Sequence, residues 1–282
     1  MILPRLDPAE IQRVLAVAFA EDVGPGDITT EAIIPGDVPA RARAVAREPG
    51  VIAGLPVFTA ALRFGGHVVR VFESIDDGAA VLPSDPIAEL HGPAAAILTA
   101  ERIALNFLQR MSGVATTTAR YVAAVAGTGA RILDTRKTAP GMRLLDKYAV
   151  AAGGGRNHRL GLHDAVLIKD NHIRAAGSLA SAVTLARRAV PADLPRFQVE
   201  CDTLAQVDEC LELGVEWIML DNMSLDDLRA AVARTRGRAQ LEASGGVNID
   251  TVAAIAATGV DYISIGALTH SVIALDIGLD FL

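Results

Sequence analysis

FQVECDTLAQVDECLELGVEWIMLDN, residues Phe197–Asn222, is the stretch that decides how this chain folds. Phe197 to Cys201 is a short apolar run of strand length, Thr203 to Leu213 is an amphipathic helical segment, and Trp217 to Leu220 is a second strand. Strand, helix and strand at this spacing imply two parallel strands joined by a right-handed crossover. The same grammar extends in both directions from Ala130 onward. Further strands are read at Arg131 to Asp134, Ala165 to Ile168, Gln240 to Ala243 and Tyr262 to Ile265, with helical segments at Ser178 to Val190, Leu225 to Thr235 and Ile249 to Ala257. Each strand runs out into polar residues: Asp134-Thr135-Arg136-Lys137, Lys169-Asp170-Asn171, Glu200-Cys201-Asp202, Asp221-Asn222, Ser244-Gly245-Gly246 and Gly266 to His270. In a (β/α) barrel the carboxyl ends of the strands carry the active site, and the loops after the last strands cradle phosphate on backbone N–H groups. An open doubly wound sheet alternates in the same way, but no Gly-rich turn of the dinucleotide-binding kind follows the first strand.

The residues before this barrel read differently. Asp7 caps an opening helix, Pro8 suits its first turn and Glu10 completes a capping box, with Ile11, Val14, Leu15, Ala18 and Phe19 on one face. Glu21 to Thr30 reads as an ordered loop. Period-two alternation from Ala40 to Leu90 gives strands around Arg41 to Arg47, at His67 to Phe72 and at Pro86 to Leu90. A helix follows Pro93 and is expected to end near Ser112-Gly113. The expected organisation is therefore an N-terminal α+β domain over 1–112 and an α/β barrel over 113–270. A tail of about 271–282 packs back on the first domain.

Composition narrows the partners. The chain has 282 residues, 51% apolar and 21% charged, with a net charge of −7. That balance argues against nucleic acid or an anionic membrane surface as a bulk partner. Cys201 and Cys210 are too few for a disulfide framework or a Cys-based zinc site. The opening residues carry no secretory signal, and no run approaches the roughly 20 apolar residues of a membrane span. A soluble cytoplasmic protein is the expectation.

Within this acidic chain all three lysines fall between positions 137 and 169, among Arg136, Arg143, Arg156, Arg159, His158, His163 and His172. Such a cluster suits a small polyanion. Arg136 and Arg159 can each grip a carboxylate with two parallel hydrogen bonds. Lys137 and Lys169 supply mobile point charges for phosphate or carboxylate oxygens. Glu200 and Asp221 can accept sugar hydroxyls or hold Mg²⁺ through water. Any one charged strand end is equally well a solvated loop group, Gly153-Gly154-Gly155 a flexible turn, and Cys201 a small core residue. His67 and His91 have no acidic or metal-like partner in sequence. Six polar strand ends together are harder to dismiss.

These residues resemble the quinolinate phosphoribosyltransferase family. The matching stretches are Glu21 to Thr30, Glu101 to Asn106, Asp134 to Thr138, Lys147 to Val150, Gly153 to Arg159, Leu167 to His172, Leu220 to Asn222, Ala243 to Gly246 and Gly266 to His270. They span essentially the whole chain, and the block from Asp134 to His172 is long and specific. The resemblance implies an N-terminal α/β sandwich joined to an incomplete, seven-stranded α/β barrel of TIM type. It also implies homodimers with shared active sites, and leaves open whether these assemble into hexamers. The implied reaction joins quinolinate to phosphoribosyl pyrophosphate with Mg²⁺, giving nicotinate mononucleotide, CO₂ and pyrophosphate on the route to NAD. By the same resemblance Arg136, His158 and Arg159, with Lys137 and Lys169 nearby, hold quinolinate, and Arg102 enters from the partner subunit. Glu200 and Asp221 hold the ribose hydroxyls and the metal-bound pyrophosphate, while Ser244, Gly245, Gly246 and Gly266 cradle the 5′-phosphate. Lys137, Lys169, Glu200 and Asp221 carry the catalytic roles. The departures, Ile103 beside Arg102 and Cys201 after Glu200, remove no charge, though Cys201 introduces a residue open to oxidation. Two other enzymes fit parts of the pattern: a related phosphoribosyltransferase with another anionic acceptor, and a Schiff-base lyase using Lys169. A non-catalytic sensor of phosphorylated metabolites has no use for acids set opposite a cationic wall.

Overall fold

A computed structural model describes residues 3–34, 38–191 and 196–282. They form two compact units, one of residues 1–119, 138–154 and 268–282, the other of 120–137 and 155–267. The first unit runs past residue 112 to 119 and also takes in Thr138–Gly154, while the C-terminal residues belong with it as expected of the tail.

The first unit opens with α1 (Pro8–Asp22) and α2 (Ile28–Ile33). Asp7 caps α1 by accepting from the Ala9 N–H. The expected capping box is replaced by an ion pair, since Glu10 turns outward to Arg13, one turn along the helix. The loop expected over Glu21 to Thr30 is shorter than its reading: Asp27 accepts from the Thr30 N–H and starts α2 inside it. Next come β1 (Pro39–Ala46), β2 (Gly50–Val51), α3 (Leu55–Leu62), β3 (Arg70–Glu73), β4 (Ala80–Val81) and β5 (Pro86–Pro93). β2 and β4 pair with each other. The main sheet is antiparallel in the order β12, β1, β5, β3, where β12 (Ile277–Phe281) is the last strand of the chain. Alternation puts Ala42, Ala44 and Ala46 in the core and Arg41 and Arg43 on the other face, both paired with Glu89.

α4 (Ala94–Ala124) runs 31 residues and does not stop at Ser112-Gly113. Glycine usually weakens a helix interior, but a Cβ on Gly113 would collide with the carbonyl of Ile273, so close packing requires it. Ile97, Leu105, Leu108 and Met111 on this helix are fully buried, each contributing about 1.5–3 kcal/mol. Polar contacts hold α5 (Arg143–Ala152): Tyr148 Oη donates to Asp77, and the buried Asp146 accepts from Arg110 at both oxygens and from the Ala139 N–H.

The second unit holds β6 (Arg131–Leu133), β7 (Val166–Ile168), α6 (Asp170–Ala176), α7 (Leu179–Ala189), β8 (Phe197–Cys201), α8 (Leu204–Glu212), β9 (Trp217–Asp221), α9 (Leu225–Thr235), β10 (Gln240–Ser244), α10 (Val252–Ala256) and β11 (Tyr262–Ser264), with α11 (Ala267–His270) following. Six parallel strands lie in the order β6, β11, β10, β9, β8, β7. The expected seven-stranded barrel is not met among the described residues, which form six strands and no closed barrel; in place of a seventh strand Arg156 makes one isolated bridge beside β6, donating to the Ile132 carbonyl and accepting from the Asp134 N–H. The order is that of a barrel opened between Arg156 and β7.

One side of each strand is apolar, with Val199, Cys201, Ile218, Leu220, Leu241, Ala243 and Ile263 buried. The other side carries Gln198 and Glu200, Trp217, Met219 and Asp221, Glu242 and Ser244, and Ser264, all in matching register. Strands two apart in a sheet are separated by roughly 10 Å. Gln198 on β8 nevertheless bonds Glu242 on β10 across β9, and the rings of Trp217 and Tyr262 stand 4.7 Å apart across β10. The polar side is therefore concave.

Candidate active site

The carboxyl ends of the parallel strands bring most of the expected residues together. β6 is followed at once by Asp134, which is fully buried and accepts from the His158 N–H at 2.8 Å. This bond and the Arg156 bridge hold the segment Arg156–Arg159 against β6. Arg159 is buried, its Nη1 donates to the Ala165 carbonyl at 3.1 Å, and Arg136 lies near enough to repel it. Burial first, and Arg136 second, push the Arg159 guanidinium below its ordinary pKa. Two cations kept close and partly out of water favour an anion between them.

His158 is placed here too, but its ring faces inward. Nδ1 accepts from the Arg159 N–H at 2.7 Å, and Nε2 stands 3.1 Å from Gln198 Oε1 and 3.5 Å from Glu242 Oε2. Lys137 is exposed beyond Arg136, its N–H bonded to Thr135 Oγ1. Lys169, after β7, forms an ion pair with Glu200 of β8. The N–H of Lys169 donates to His172 Nδ1 at 2.9 Å, so His172 fixes the turn that presents the lysine.

Asp221 accepts from Asn222 Nδ2 at 2.7 Å. Asn222 adopts a left-handed backbone, φ 55°, and its N–H donates to the Ser244 carbonyl. A Cβ at Gly245, φ 93°, would run into that asparagine, so glycine is required where the two strand ends meet. Gly246 follows, also at positive φ, and Gly266 stands at the neighbouring strand end just before α11. Ser244, Gly245, Gly246 and Gly266 thus gather on adjacent strands β10 and β11.

Other expected residues belong to the first unit. Arg102 belongs to the first unit, on α4, where it lines a pocket of about 320 Å³ with Asp27 and Thr99. Lys147 and Arg143 are also in the first unit, so the cationic stretch of sequence does not form one cluster within either unit. Cys201 faces the opposite side of β8 from Glu200, with Sγ 3.6 Å from Cys210 Sγ, both fully buried. The neighbouring thiol and burial raise its pKa, which keeps it a thiol in the core and away from solvent oxidants. The site reading missed Gln198 and Glu242. Their signal was period two, since each precedes a selected residue, Glu200 or Ser244, by two positions on one strand. Among the described residues no three His, Cys, Asp or Glu side chains converge as a metal cage, and no helix is long and apolar enough to cross a membrane.

Comparison with known proteins gives this geometry a lineage. Residues 27–112 match the family description "Quinolinate phosphoribosyl transferase, N-terminal domain", and residues 114–280 match its C-terminal domain. The nicotinate-nucleotide pyrophosphorylase (carboxylating) of Mycobacterium leprae is 48% identical over 269 residues, covering 93% of this chain and 94% of the relative. A probable nicotinate-nucleotide pyrophosphorylase (carboxylating) of Bacillus subtilis is 42% identical, over 96% of this chain and 93% of its own length. The structure of the nicotinate-nucleotide pyrophosphorylase from Francisella tularensis superposes with a TM-score of 0.94 at 38% identity, covering 99% of this chain and 98% of that one. Two domain descriptions laid end to end, with relatives alike over nearly their whole length, make this chain a member of the quinolinate phosphoribosyltransferase family.

Proposed function

We propose that the chain transfers the phosphoribosyl group of phosphoribosyl pyrophosphate to quinolinate and releases CO₂ and pyrophosphate, leaving nicotinate mononucleotide for NAD synthesis. Beyond family membership, the observation that carries this reading is the neighbouring pair Arg136 and Arg159, the latter buried. Quinolinate offers two adjacent carboxylates, and two guanidinium forks at one strand end match them bidentately. Lys137 stands at the same strand end. Asp221 and Glu200 face the ribose, and Ser244, Gly245, Gly246 and Gly266 offer backbone N–H groups to the 5′-phosphate.

The chemistry follows from holding the two substrates in line. The pyridine nitrogen forms a bond to the anomeric carbon as the bond from that carbon to pyrophosphate breaks, its electron pair leaving with the pyrophosphate. Lys137 and Lys169 offset the charge gathering on the leaving group. The ring nitrogen is then cationic. The bond from the adjacent ring carbon to its carboxylate breaks, CO₂ departs, and the electron pair stays on the carbon beside N⁺ until a proton replaces it.

Mg²⁺ is part of this proposal. Glu200 and Asp221, at neighbouring strand ends, are hard oxygen donors but make no cage with a third ligand among the described residues. Two carboxylates suit an ion that arrives largely coordinated by pyrophosphate and water. Such an ion would supply charge neutralisation at the leaving group. Lys169 also bears on the Schiff-base alternative: its Nζ is engaged by the Glu200 carboxylate in an ion pair, a partner that the phosphoribosyl reading uses and the lyase reading does not.

A homodimer with shared sites, in the cytoplasm, completes the proposal. It gives Arg102 a role, since this arginine sits in the first unit at an open pocket beside the highly exposed Ile28. An Arg102→Ala chain mixed with an Arg136→Ala chain is expected to regain activity, because each mixed dimer contains one intact site. No gain on mixing would remove the shared site. The reaction itself is tested by offering quinolinate and nicotinate in parallel with phosphoribosyl pyrophosphate and following nicotinate mononucleotide. Turnover with quinolinate and its release of CO₂ is the expected result; turnover with nicotinate alone would overturn the proposed acceptor.

A further inference from the structure

Beneath the strand-end site lies a carboxylate that the reaction above does not use. Glu242 is fully buried on the concave side of β10. Gln198 Nε2 donates to its Oε2 at 2.9 Å, Gln198 Oε1 faces His158 Nε2 at 3.1 Å, and His158 Nδ1 accepts from the Arg159 N–H at 2.7 Å. Arg159 in turn reaches the Ala165 carbonyl at the start of β7. This chain of contacts crosses the opening between Arg156 and β7, where no backbone ladder joins the described residues.

The chain has only one consistent sense. An ionised carboxylate accepts and cannot donate, so the Gln198 amide must turn its NH₂ toward Glu242. Its carbonyl is then left for His158, which requires a proton on Nε2. The Arg159 N–H at the other side of the ring requires a lone pair on Nδ1. Both ends select the same tautomer and ring attitude. Burial pushes the Glu242 carboxyl up, but hydrogen bonds from His158, Gln198 and Ser264 outweigh it and hold the pKa below the ordinary value. Arg196, stacked 4.0 Å over the Trp217 ring, adds its Nη1 at 3.9 Å from Glu242.

We propose that Glu242 is a positioning residue for the acceptor pocket: directly and through Gln198 it locks the His158 ring, which holds the Arg159 backbone so that its guanidinium meets a carboxylate of the acceptor. The proposal rests on the reading of Arg159 as a quinolinate ligand. Glu242 acts through the His158 ring, which it also faces directly at 3.5 Å, and does not touch substrate.

Glu242→Met fills a similar volume and removes the acceptor, which frees the Gln198 amide to turn over. A buried ionic group replaced by an apolar one of similar size often leaves stability unchanged. The expected result is a rise of about tenfold in KM for quinolinate, with KM for phosphoribosyl pyrophosphate within about twofold of the parent. Glu242→Gln keeps one acceptor oxygen for Gln198 and is expected to recover most of the loss. Gln198→Met breaks the next link and should reproduce the effect; it decides the matter if Glu242→Met does not fold. An unchanged quinolinate KM in a folded variant, or a parallel rise in both KM values, would overturn the proposal. Arg159→Ala serves as the control. If that variant leaves quinolinate KM unchanged, the ligand reading itself has failed; if it raises KM while Glu242→Met does not, only the positioning role is lost.

Discussion

Arg159→Ala is expected to lower kcat/KM for quinolinate by roughly three orders of magnitude, about 4 kcal/mol. The guanidinium is buried, anchored by one bond to the Ala165 carbonyl, and set beside a second cation, Arg136. Alanine there leaves a desolvated carboxylate of the substrate without its partner, and that penalty exceeds the worth of the same contact in water. Arg159→Lys retains charge but loses the flat fork and should recover only a small part of the activity. Both guanidinium groups grip one dicarboxylate, so once either is lost the other has less to hold, and the double variant with Arg136→Ala should cost less than the sum of the two. Steady-state kinetics with quinolinate varied, alongside a melting curve to show that each variant folds, decides the point. A quinolinate KM and kcat within twofold of the parent in folded Arg159→Ala would show that the acceptor binds elsewhere.

Lys169 and Glu200 should behave as one unit. The lysine is half exposed and the glutamate mostly buried, and they hold each other at the carboxyl ends of β7 and β8. Lys169→Ala is expected to reduce kcat by roughly 10²- to 10³-fold, the scale for losing one preorganised charge at a developing anion. Glu200→Ala should fall as far, because it removes a sugar-binding acceptor and leaves the lysine free to swing away. The double variant should then be little worse than either single one, as groups acting jointly are strongly non-additive. Pyrophosphate release at saturating quinolinate reads this directly. Strictly multiplicative losses would mean that the pair seen here separates before chemistry and that each residue works alone.

Much of this was legible in the residues alone. The strand–helix alternation is written in apolar periodicity, and all six strands of the parallel sheet lie within two residues of where the pattern places them. Polar chemistry at the strand ends is likewise local, since a residue at a strand's carboxyl terminus needs no further information to be assigned there. Signals failed where a side chain chose between local and distant partners. Glu10 pairs with Arg13 instead of completing a box, and α4 passes through Gly113 because a distant carbonyl needs the space.

By itself the sequence determined the layers, the parallel crossover order and the set of charges available to a site, because these follow from short-range periodicity and chain connectivity. Tertiary structure alone decided where the barrel opens, which buried groups seal that opening, and that Cys201 faces away from the site while Glu242 lies beneath it. Those outcomes depend on the curvature of the sheet, which brings Gln198 and Glu242 into contact across an intervening strand. Curvature accumulates from many small twists over the whole sheet, and no single stretch of residues encodes it.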